Sequence, residues 1–428
     1  MRYPPRHLWD QGRRRGRMTQ LTATVCGGGI GGTTTALALR QAGLTVTLIE
    51  QAPEIKEIGT GLQLGPNAVR ALFDLGLERE LRALSPITQE IVRRRWDGGV
   101  LNRTTLGSFA ERRYGAPYLQ VHRADLLDLL LRAVVSPSGA GTPVEVVTAA
   151  QVTAIEDIDG TAPVAVTSAG TRFPGDLLVG ADGVHSLVRQ AIGCTVPVVN
   201  SGDMCFRALI DGSRVRETGE LGFLTEQQAA HFWFGEDKHL VAYPIRHGDA
   251  INIVGVVPED ADVASAGRRP SSTAEMVDAY RGWDDRLTTL LGTPALGGVG
   301  LWTLQRQDPH TMWTRGNVAL VGDACHAMLP YVSQGASQAI EDAAVLSEEF
   351  AAAQHATPAQ ALERYARRRT PDAHRVQQEA QASRDIYHLP EGPDQAARDR
   401  RWHEASGEPA GAIDSIYTGT SRSTNAIV

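Results

Sequence analysis

Three glycines near the N-terminus have the spacing of a phosphate-binding loop. Gly27, Gly29 and Gly32 lie between an apolar segment and an alanine-rich one, and Glu50 follows further along the chain. In a dinucleotide-binding fold the first glycine permits a tight turn, the second lets a pyrophosphate approach the backbone, and the third lets the helix pack against the strand. A carboxylate in the position of Glu50 can accept hydrogen bonds from both ribose hydroxyls. The pattern therefore predicts a site for the adenosine half of FAD or NAD, without a 2′-phosphate.

Two aspartates occupy comparable corners later in the chain. Asp182 stands in "VGADG" and Asp323 in "VGDAC", each directly after an apolar segment that predicts a buried strand. Beyond Asp323, Pro330 and Gly335 frame a loop that enters an alanine-rich helix. The first amides of such a helix favour a neighbouring anion by roughly 0.3–1 kcal/mol. We expect these corners to hold an electron-rich ligand, although each aspartate could instead serve an ordinary turn or helix cap.

The charge balance and the cysteines limit the classes of function. The 428 residues include 42 Lys and Arg against 49 Asp and Glu, a net charge of −7 that argues against nucleic acid as the main partner. The four cysteines show no CxxC spacing and the 12 histidines show no paired ligand spacing, so we predict neither a disulfide framework nor a metal site. No apolar run approaches the roughly 18 residues of a membrane span. A cytoplasmic protein without a membrane partner fits these features.

The elements that must position these residues alternate along the first part of the chain. Leu21–Cys26 and Thr45–Ile49 are predicted strands on either side of a helix at Gly31–Gln41. This alternation predicts a parallel sheet. After about Pro197 the segments are β-rich and aromatic, which indicates a mostly antiparallel sheet with one face covered. The alternation of strand and helix returns with a predicted strand at Asn317–Val321 and a predicted helix after it.

We therefore predict an α/β protein in which a Rossmann-like nucleotide-binding domain is interrupted by a β-rich substrate domain. The predicted divisions are a disordered leader at 1–18, the discontinuous nucleotide-binding domain at 19–196 and 300–385, the β-rich domain at 197–299 with contributions from about 85–115, and a C-terminal helical segment and tail at 386–428. Within the last third, Pro358–Arg369 and Pro371–Ala382 are predicted as two helices, because each has a proline in its first turn.

The three corner motifs, in this order and spacing, resemble the single-component flavoprotein aromatic hydroxylases, typified by p-hydroxybenzoate hydroxylase. The segments "GTGLQLGPNAVRAL", "VHRADLLDLL", "AYPIRHGDAINIVGVV" and "YHLPEGPDQAARDR" are similar to salicylate 1-hydroxylase, 3-hydroxybenzoate 6-hydroxylase and 6-hydroxynicotinate 3-monooxygenase. The resemblance runs from about Leu21 to Tyr417. It implies a p-hydroxybenzoate hydroxylase-like fold, bound FAD, NADH or NADPH as a transient co-substrate, and O2 as the oxidant through a flavin C4a-hydroperoxide.

The resemblance also implies the residues that hold FAD. Arg123, in "VHRADL", matches an arginine near the flavin phosphates, and a guanidinium binds phosphate bidentately; a surface salt bridge is the alternative. Asp182 matches an acid beside the pyrophosphate, and Asp323 one at the ribityl or pyrophosphate region. The full expected cofactor set is Gly27, Gly29, Ile30, Gly31, Gly32, Glu50, Arg123, Asp182, Asp323, Pro330, Gly335, Ala336 and Ser337.

The expected substrate site must promote ionisation of a phenol. A phenol with a pKa near 10 is about three units from ionisation at pH 7, which costs roughly 4 kcal/mol, so a base or acceptor should lie nearby. His239 and Tyr243 share one face of a predicted strand, and relatives that act on hydroxynicotinate use a His and a Tyr in this region. The alternative is that Tyr243 belongs to the core and His239 faces solvent.

Three further residues complete the predicted substrate site. Tyr331 follows Pro330, where the loop should meet the substrate ring, although some relatives have histidine there, which leaves the base unassigned. Gln63 replaces a histidine of the hydroxynicotinate branch. Arg207 could hold a substrate carboxylate or form a structural ion pair. In the adjoining loop, His326 is expected to be structural and Cys325 an inert core residue.

The function expected from these residues is hydroxylation of a small phenolic or N-heteroaromatic substrate, with or without a carboxylate. One alternative is a flavin-dependent hydroxylase or epoxidase of a larger natural-product intermediate. An alternative of another class is a flavin-bound, non-catalytic binding protein. The expected assembly is a monomer or a homodimer.

Overall fold

The computed structural model describes residues 20–56, 60–259, 267–352 and 357–419, so the predicted leader lies outside the described residues. The strands are β1 (Thr22–Cys26), β2 (Thr45–Ile49), β3 (Gly61–Leu64), β4 (Glu90–Arg95), β5 (Val100–Thr105), β6 (Leu119–His122), β7 (Glu145–Val147), β8 (Val152–Glu156), β9 (Val164–Thr167), β10 (Arg172–Pro174), β11 (Leu177–Gly180), β12 (Val198–Asp211), β13 (Ala229–Gly235), β14 (Lys238–Ile245), β15 (Ala250–Pro258), β16 (Arg268–Ser271), β17 (Ala295–Gln307), β18 (Thr314–Arg315) and β19 (Val318–Leu320).

The helices are α1 (Ile30–Gln41), α2 (Pro66–Asp74), α3 (Glu78–Leu84), α4 (Gly107–Tyr114), α5 (Arg123–Val135), α6 (Leu187–Ala191), α7 (Gly212–Glu217), α8 (Phe223–Glu226), α9 (Thr273–Ala279), α10 (Asp285–Gly292), α11 (Asp323–His326), α12 (Gly335–Ala352), α13 (Pro358–Tyr387), α14 (Pro393–Glu404) and α15 (Gly411–Thr418). Within the described ranges, none of these helices has both the length and the apolar character needed to cross a bilayer.

A six-stranded sheet carries the glycine loop. Its order is β18-β19-β11-β1-β2-β7, and all neighbours are parallel except the β18–β19 pair. The first turn after β1 needs glycine, because Gly27 has φ +113° and a Cβ there would lie 2.3 Å from the carbonyl oxygen of Ala181. The turn therefore brings the β11 corner against the β1 corner. The predicted α/β class is confirmed.

An eight-stranded sheet forms the other large layer. Its order is β16-β17-β12-β15-β14-β13-β4-β5, antiparallel except where β13 pairs with β4. β17 continues this sheet to Gln307, beyond the predicted boundary at residue 299. Side chains alternate across it, so Phe232 and Phe234 pack in one apolar cluster and Trp233 in the cluster on the opposite face. The division into domains stays a prediction.

The prediction of two helices around Pro371 is wrong. The structure has one helix, α13, with Pro371 inside it. Contacts on both sides of the proline hold the helix: the Tyr365 hydroxyl donates to the carbonyl of Leu320 over 2.8 Å, and Ala373 and Val376 are buried beyond it. Proline removes one backbone hydrogen bond, and this packing outweighs that loss.

The large sheet also buries a histidine on the face away from Phe232. His231 has no solvent exposure, and neither ring nitrogen has a hydrogen-bond partner among the described residues. Burial, followed by repulsion from Arg94, lowers the pKa of His231 from its ordinary 6.5 to about 3. Between about pH 3 and pH 6.5, the folded protein therefore keeps this imidazole neutral, whereas an unfolded chain would protonate it.

We expect His231 to make the protein acid-labile. Because its folded-state pKa is depressed, its contribution to stability is complete above pH 6.5 and is lost as the pH falls toward 3, at a rate of roughly 1 kcal/mol per pH unit. Urea-denaturation midpoints from pH 7 to pH 4 measure this loss, and His231→Leu should reduce the slope. His185→Leu, at an exposed histidine, is the control. An equal slope in His231→Leu and the unaltered protein would contradict the assignment.

Candidate active site

A cavity of about 310 Å³ is lined by residues of the eight-stranded sheet, by β3, and by the loops and helix starts that follow strands of the six-stranded sheet. One end receives the start of α1, the start of α12 and the corner at Asp323. The other end is the face of β12–β15 together with the loop after α11. Residues predicted from the glycine and acid motifs therefore share one space with residues predicted for the substrate.

The start of α1 suits a phosphate group. Gly29, Ile30 and Gly31 line the cavity, and Gly29 caps the helix without a side-chain hydrogen bond. The first turn contains no acidic residue, so its amides carry an uncompensated partial positive charge. A Cβ at Gly29 would meet no atom within 4 Å, which shows that this backbone faces open space. A pyrophosphate can approach here, as the sequence predicts.

The other predicted members of the glycine loop support it from behind. A Cβ on Gly32 would lie 1.9 Å from the carbonyl oxygen of Gly27, so the strand and the helix meet at these two residues. The Glu50 carboxylate accepts hydrogen bonds from the amides of Gly28 at 2.7 Å and Ala52 at 2.9 Å. The structure thus shows Glu50 shaping the loop; its contact with a ribose stays a prediction.

Asp182 and Ser337 do not line the cavity but lie beside residues that do. The Asp182 carboxylate accepts from the hydroxyl of Ser186 and from the amide of Leu187, at 2.5 and 2.8 Å, and thereby caps α6. Its neighbour Gly183 lines the cavity. The Ser337 hydroxyl accepts from the amide of Gly65 at 3.3 Å. Both side chains hold backbone in place rather than face the ligand space.

The remaining predicted cofactor residues also line the cavity, at the starts of α5 and α11 and along the loop that enters α12. They are Arg123, Asp323, Pro330, Gly335 and Ala336. Asp323 is exposed, and α12, like α1, has no acidic residue in its first turn. Two helix N-termini therefore point at one cavity, an arrangement that suits a ligand with negative charge at two places. The residues present fit FAD, whose pyrophosphate and reduced flavin ring both carry such charge.

A buried network braces this corner. Cys325, His326 and Asp342 place potential metal-binding atoms within 4.8 Å of one another. Asp342 nevertheless accepts from His326 at 2.6 Å and from Arg369 at 2.8 Å, so an arginine already supplies the positive charge. Burial alone would raise the pKa of Asp342, but His326 and Arg369 lower it to about 2. Asp342 also accepts from the amide of Gly322, which fixes the turn before Asp323.

At the substrate end, strand alternation places His239, Val241 and Tyr243 on the cavity wall. Apolar side chains surround them, namely Phe232, Val254, Met328 and Leu329. Gln63 also lines the cavity and accepts a hydrogen bond of 2.5 Å from the Tyr118 hydroxyl. Burial raises the pKa of Tyr243, which keeps this phenol protonated at neutral pH and able to donate.

Tyr331 lines the cavity with its ring, while its hydroxyl is engaged elsewhere. The hydroxyl donates to Asp203 Oδ2 at 2.5 Å, and Arg384 pairs with the same carboxylate at 2.5 and 2.9 Å. Burial, followed by the charge of Asp203, raises the pKa of Tyr331. Tyr331 therefore cannot accept a proton at neutral pH. The sequence reasoning missed Asp203 and Arg384, since neither lies near Tyr331 in the chain.

His239 has a partner that the sequence reasoning also missed. Its Nδ1 lies 2.8 Å from Nε2 of His388, which follows the last residue of α13. Burial and then the neighbouring imidazole lower the pKa of His239, and burial lowers that of His388 to about 4. His239 is consequently neutral at pH 7, and because burial disfavours the imidazolium form, it can accept a proton at one ring nitrogen only if it gives one up at the other.

Arg207 brings a positive charge to the substrate end. It lines the cavity, and its guanidinium lies 5.5 Å from the centroid of the Trp302 ring. Its Nε is buried without a hydrogen-bond partner, and no carboxylate of the described ranges forms an ion pair with it. A structural ion pair, one of the two alternatives from the sequence, is thus not seen among these residues.

Comparison with known proteins identifies the family. A family model described as FAD binding domain matches residues 20–380. The chain is 39% identical to 3-amino-4-hydroxybenzoate 2-monooxygenase PtnB3 of Streptomyces platensis, over 88% of this chain and 91% of that protein. It is 33% identical to 3-hydroxybenzoate 6-hydroxylase of Polaromonas naphthalenivorans (strain CJ2), over 89% and 92%.

A solved structure shows the same fold. Klebsiella pneumoniae HpxO complexed with FAD and uric acid is 25% identical, with a TM-score of 0.77 over 90% of this chain and 93% of that one. The expected resemblance, the p-hydroxybenzoate hydroxylase-like fold and the FAD cofactor are confirmed. The chain belongs to the FAD-binding-domain family and is a flavin-dependent monooxygenase of the aromatic hydroxylase type.

Proposed function

We propose that the protein hydroxylates a small phenol or hydroxylated N-heteroaromatic compound that carries a carboxylate. The observation that supports the carboxylate most directly is Arg207, whose charge on the cavity wall has no carboxylate partner among the described residues. A guanidinium in an apolar wall binds a carboxylate by charge-assisted hydrogen bonds. The relatives named above for hydroxybenzoates agree with this substrate class.

The proposed roles follow from the positions of the side chains. Arg207 binds the carboxylate, Tyr243 donates to the substrate hydroxyl, and neutral His239 accepts its proton. Gln63 orients the neighbouring phenols, and the Tyr331 ring closes the wall. Bound FAD would supply electron transfer from NAD(P)H and activation of O2, with Gly29, Arg123, Asp323 and the first turn of α12 as its contacts. The apolar side chains exclude water from the reacting ring.

A substrate panel tests the proposal. Holoenzyme is mixed with hydroxybenzoates, hydroxynicotinates and the same rings without a carboxylate, and both NADH and NADPH oxidation and product structure are measured. We expect a carboxylated compound to stimulate oxidation most strongly and to be recovered with one added hydroxyl. Hydroxylation restricted to uncharged or much larger compounds would contradict the proposed substrate class.

Tyr243→Phe should separate substrate positioning from flavin reduction. Without the donated hydrogen bond the substrate hydroxyl is held less firmly, so we expect hydroxylation to fall by about tenfold and hydrogen peroxide per NAD(P)H oxidised to rise. Peroxide and product are both quantified against reduced nicotinamide consumed. Unchanged coupling would remove Tyr243 from the substrate contacts.

The proposal extends to location and assembly. Cys26, Cys194, Cys205 and Cys325 are all buried and unpaired, which is typical of a reducing cytoplasm. We infer a cytoplasmic enzyme that acts as a monomer or a homodimer. Size-exclusion chromatography with light scattering distinguishes the two states.

A further inference from the structure

Two imidazoles meet directly behind the substrate end of the cavity. His239 on β14 lines the cavity, and His388 lies behind it at the end of α13. Their rings are 5.1 Å apart at the centroids, and the nitrogens Nδ1 of His239 and Nε2 of His388 are 2.8 Å apart. The two residues are only 2% and 8% exposed. Aromatic rings pack around His239, with ring centroids 6.1 Å away at Phe234 and 5.7 Å away at Tyr387, and the imidazole of His388 is the ring that forms a hydrogen bond with it.

The hydrogen bond links the tautomers of the two rings. Between neutral imidazoles one nitrogen must donate and the other accept. With its Nδ1 committed to His388, His239 has Nε2 as the nitrogen that remains available to a ligand. If that nitrogen accepts a proton, the hydrogen of neutral His239 sits on Nδ1, so His388 must accept at Nε2. His388 then carries its own hydrogen on Nδ1.

His388 has charged groups around it, and some of these are exposed to solvent. The charged groups that face it are Asp203 on β12, Arg384 and Asp385 on α13, and Asp237 on the turn between β13 and β14. Asp203 is neutralised by its pair with Arg384, whereas Asp237 and Asp385 are exposed. The backbone amide of Asp237 also donates to the carbonyl of His388 over 3.2 Å, which fixes this end of the helix against the turn. His388 thus stands between a buried imidazole and a solvated, acidic rim.

We propose that His388 is a positioning residue that completes a two-imidazole path for removing the substrate's hydroxyl proton. The path rests on the proposed function. In the step, the substrate O–H bond breaks as His239 gains a proton at Nε2; the Nδ1–H bond of His239 breaks as His388 gains a proton at Nε2; and His388 releases its Nδ1 proton to water. One proton leaves, and both rings end neutral with exchanged tautomers. No cation is left in the apolar wall.

Stopped-flow mixing of the holoenzyme with 4-hydroxybenzoate at pH 8, without reduced nicotinamide, tests the path. Phenolate formation is followed by its absorbance, and proton release by an indicator dye. In His388→Phe, which keeps an aromatic ring but cannot carry a proton, we expect both signals to slow at least about tenfold. Added imidazole should restore much of the rate. His388→Gln, which keeps a polar side chain but cannot exchange tautomers, should behave like His388→Phe and serves if the phenylalanine variant does not fold.

A second probe and a matched variant separate chemistry from structure. 4-Hydroxy-3-nitrobenzoate is already ionised at pH 8, so it has no proton to release, and His388→Phe should bind it at the rate of the unaltered enzyme. His374→Phe makes the same change on the same helix, at a histidine that contacts the carbonyl of His310 rather than the cavity. It should leave both probes unaffected.

The outcomes are distinct. Equal slowing of both probes in His388→Phe, or unchanged proton release, would overturn the path while leaving the proposed function in place. Failure of the unaltered enzyme to bind any carboxylated phenol or hydroxynicotinate of the substrate panel would instead overturn the proposed substrate class, and the path with it. Slow release from 4-hydroxybenzoate alone, with rescue by imidazole, supports the path.

Discussion

Replacing Gly29 by tryptophan should give a folded protein that binds almost no FAD. The backbone of Gly29, at φ −71° and ψ −178°, is allowed for any residue, and a Cβ there meets no atom within 4 Å. The fold therefore tolerates the side chain, which must project into the space that a pyrophosphate would occupy. We expect the flavin-to-protein ratio after purification to fall at least about tenfold, because backbone approach is what the second glycine provides. The flavin-to-protein ratio is measured as the visible absorbance of the flavin divided by the protein concentration.

Gly292→Trp is the matched control. Gly292 is an exposed residue at the end of α10, and a Cβ there also meets nothing within 4 Å. It should retain full flavin content and the same circular dichroism spectrum as Gly29→Trp. A Gly29→Trp protein with stoichiometric FAD would show that the cofactor lies elsewhere.

Replacing Arg207 by glutamine should cost the enzyme most of its preference for carboxylated substrates. A charge-assisted hydrogen bond contributes roughly 2–3 kcal/mol, so we expect kcat/KM for the best carboxylated compound to fall on the order of 50-fold. The loss should appear mainly in KM, because the carboxylate is bound equally in the ground state and the transition state. Steady-state kinetics with the carboxylated compound and its ring analogue without a carboxylate measure the difference.

Two variants control for charge and shape. Arg207→Lys keeps the charge but loses the planar fork, so it should recover only part of the affinity. Arg306→Gln removes a positive charge from the same large sheet at a residue that pairs with exposed Asp308 and should change nothing. Equal losses for both classes of substrate in Arg207→Gln would show that the arginine supports the wall rather than the carboxylate.

The sequence was sufficient for the parts of the site whose geometry is local. The glycine spacing dictates how β1 meets α1, and the alternation of β14 places His239 and Tyr243 on one face. Both features are set by residues within one turn or one strand. Their physical requirements, a left-handed turn at Gly27 and a period of two, are readable without knowledge of the rest of the fold.

The sequence was insufficient for the partners of the polar side chains. Tyr331 is 128 residues from Asp203, and His239 is 149 residues from His388, so no local pattern links them. The prediction of a helix break at Pro371 was wrong for the same reason, since contacts that hold α13 just before the proline come from β19 and α12. The Tyr331 hydroxyl donates its hydrogen bond to Asp203 and is not available as a base, and this follows only from contacts between residues distant in the chain.

The last turn of α13 reaches two positions of the reaction chamber at once. Arg384 fixes the acid that holds Tyr331, and His388, one turn later, engages His239, yet among the described residues α13 adds no side chain to the cavity lining. Substitutions in this single turn would change both proton transfer through His239 and the position of the Tyr331 ring on the cavity wall, with no substitution in any strand. Descendants of this enzyme can therefore acquire new chemical preferences from outside the chamber, and directed evolution should include residues 384–388 alongside those that touch the ring.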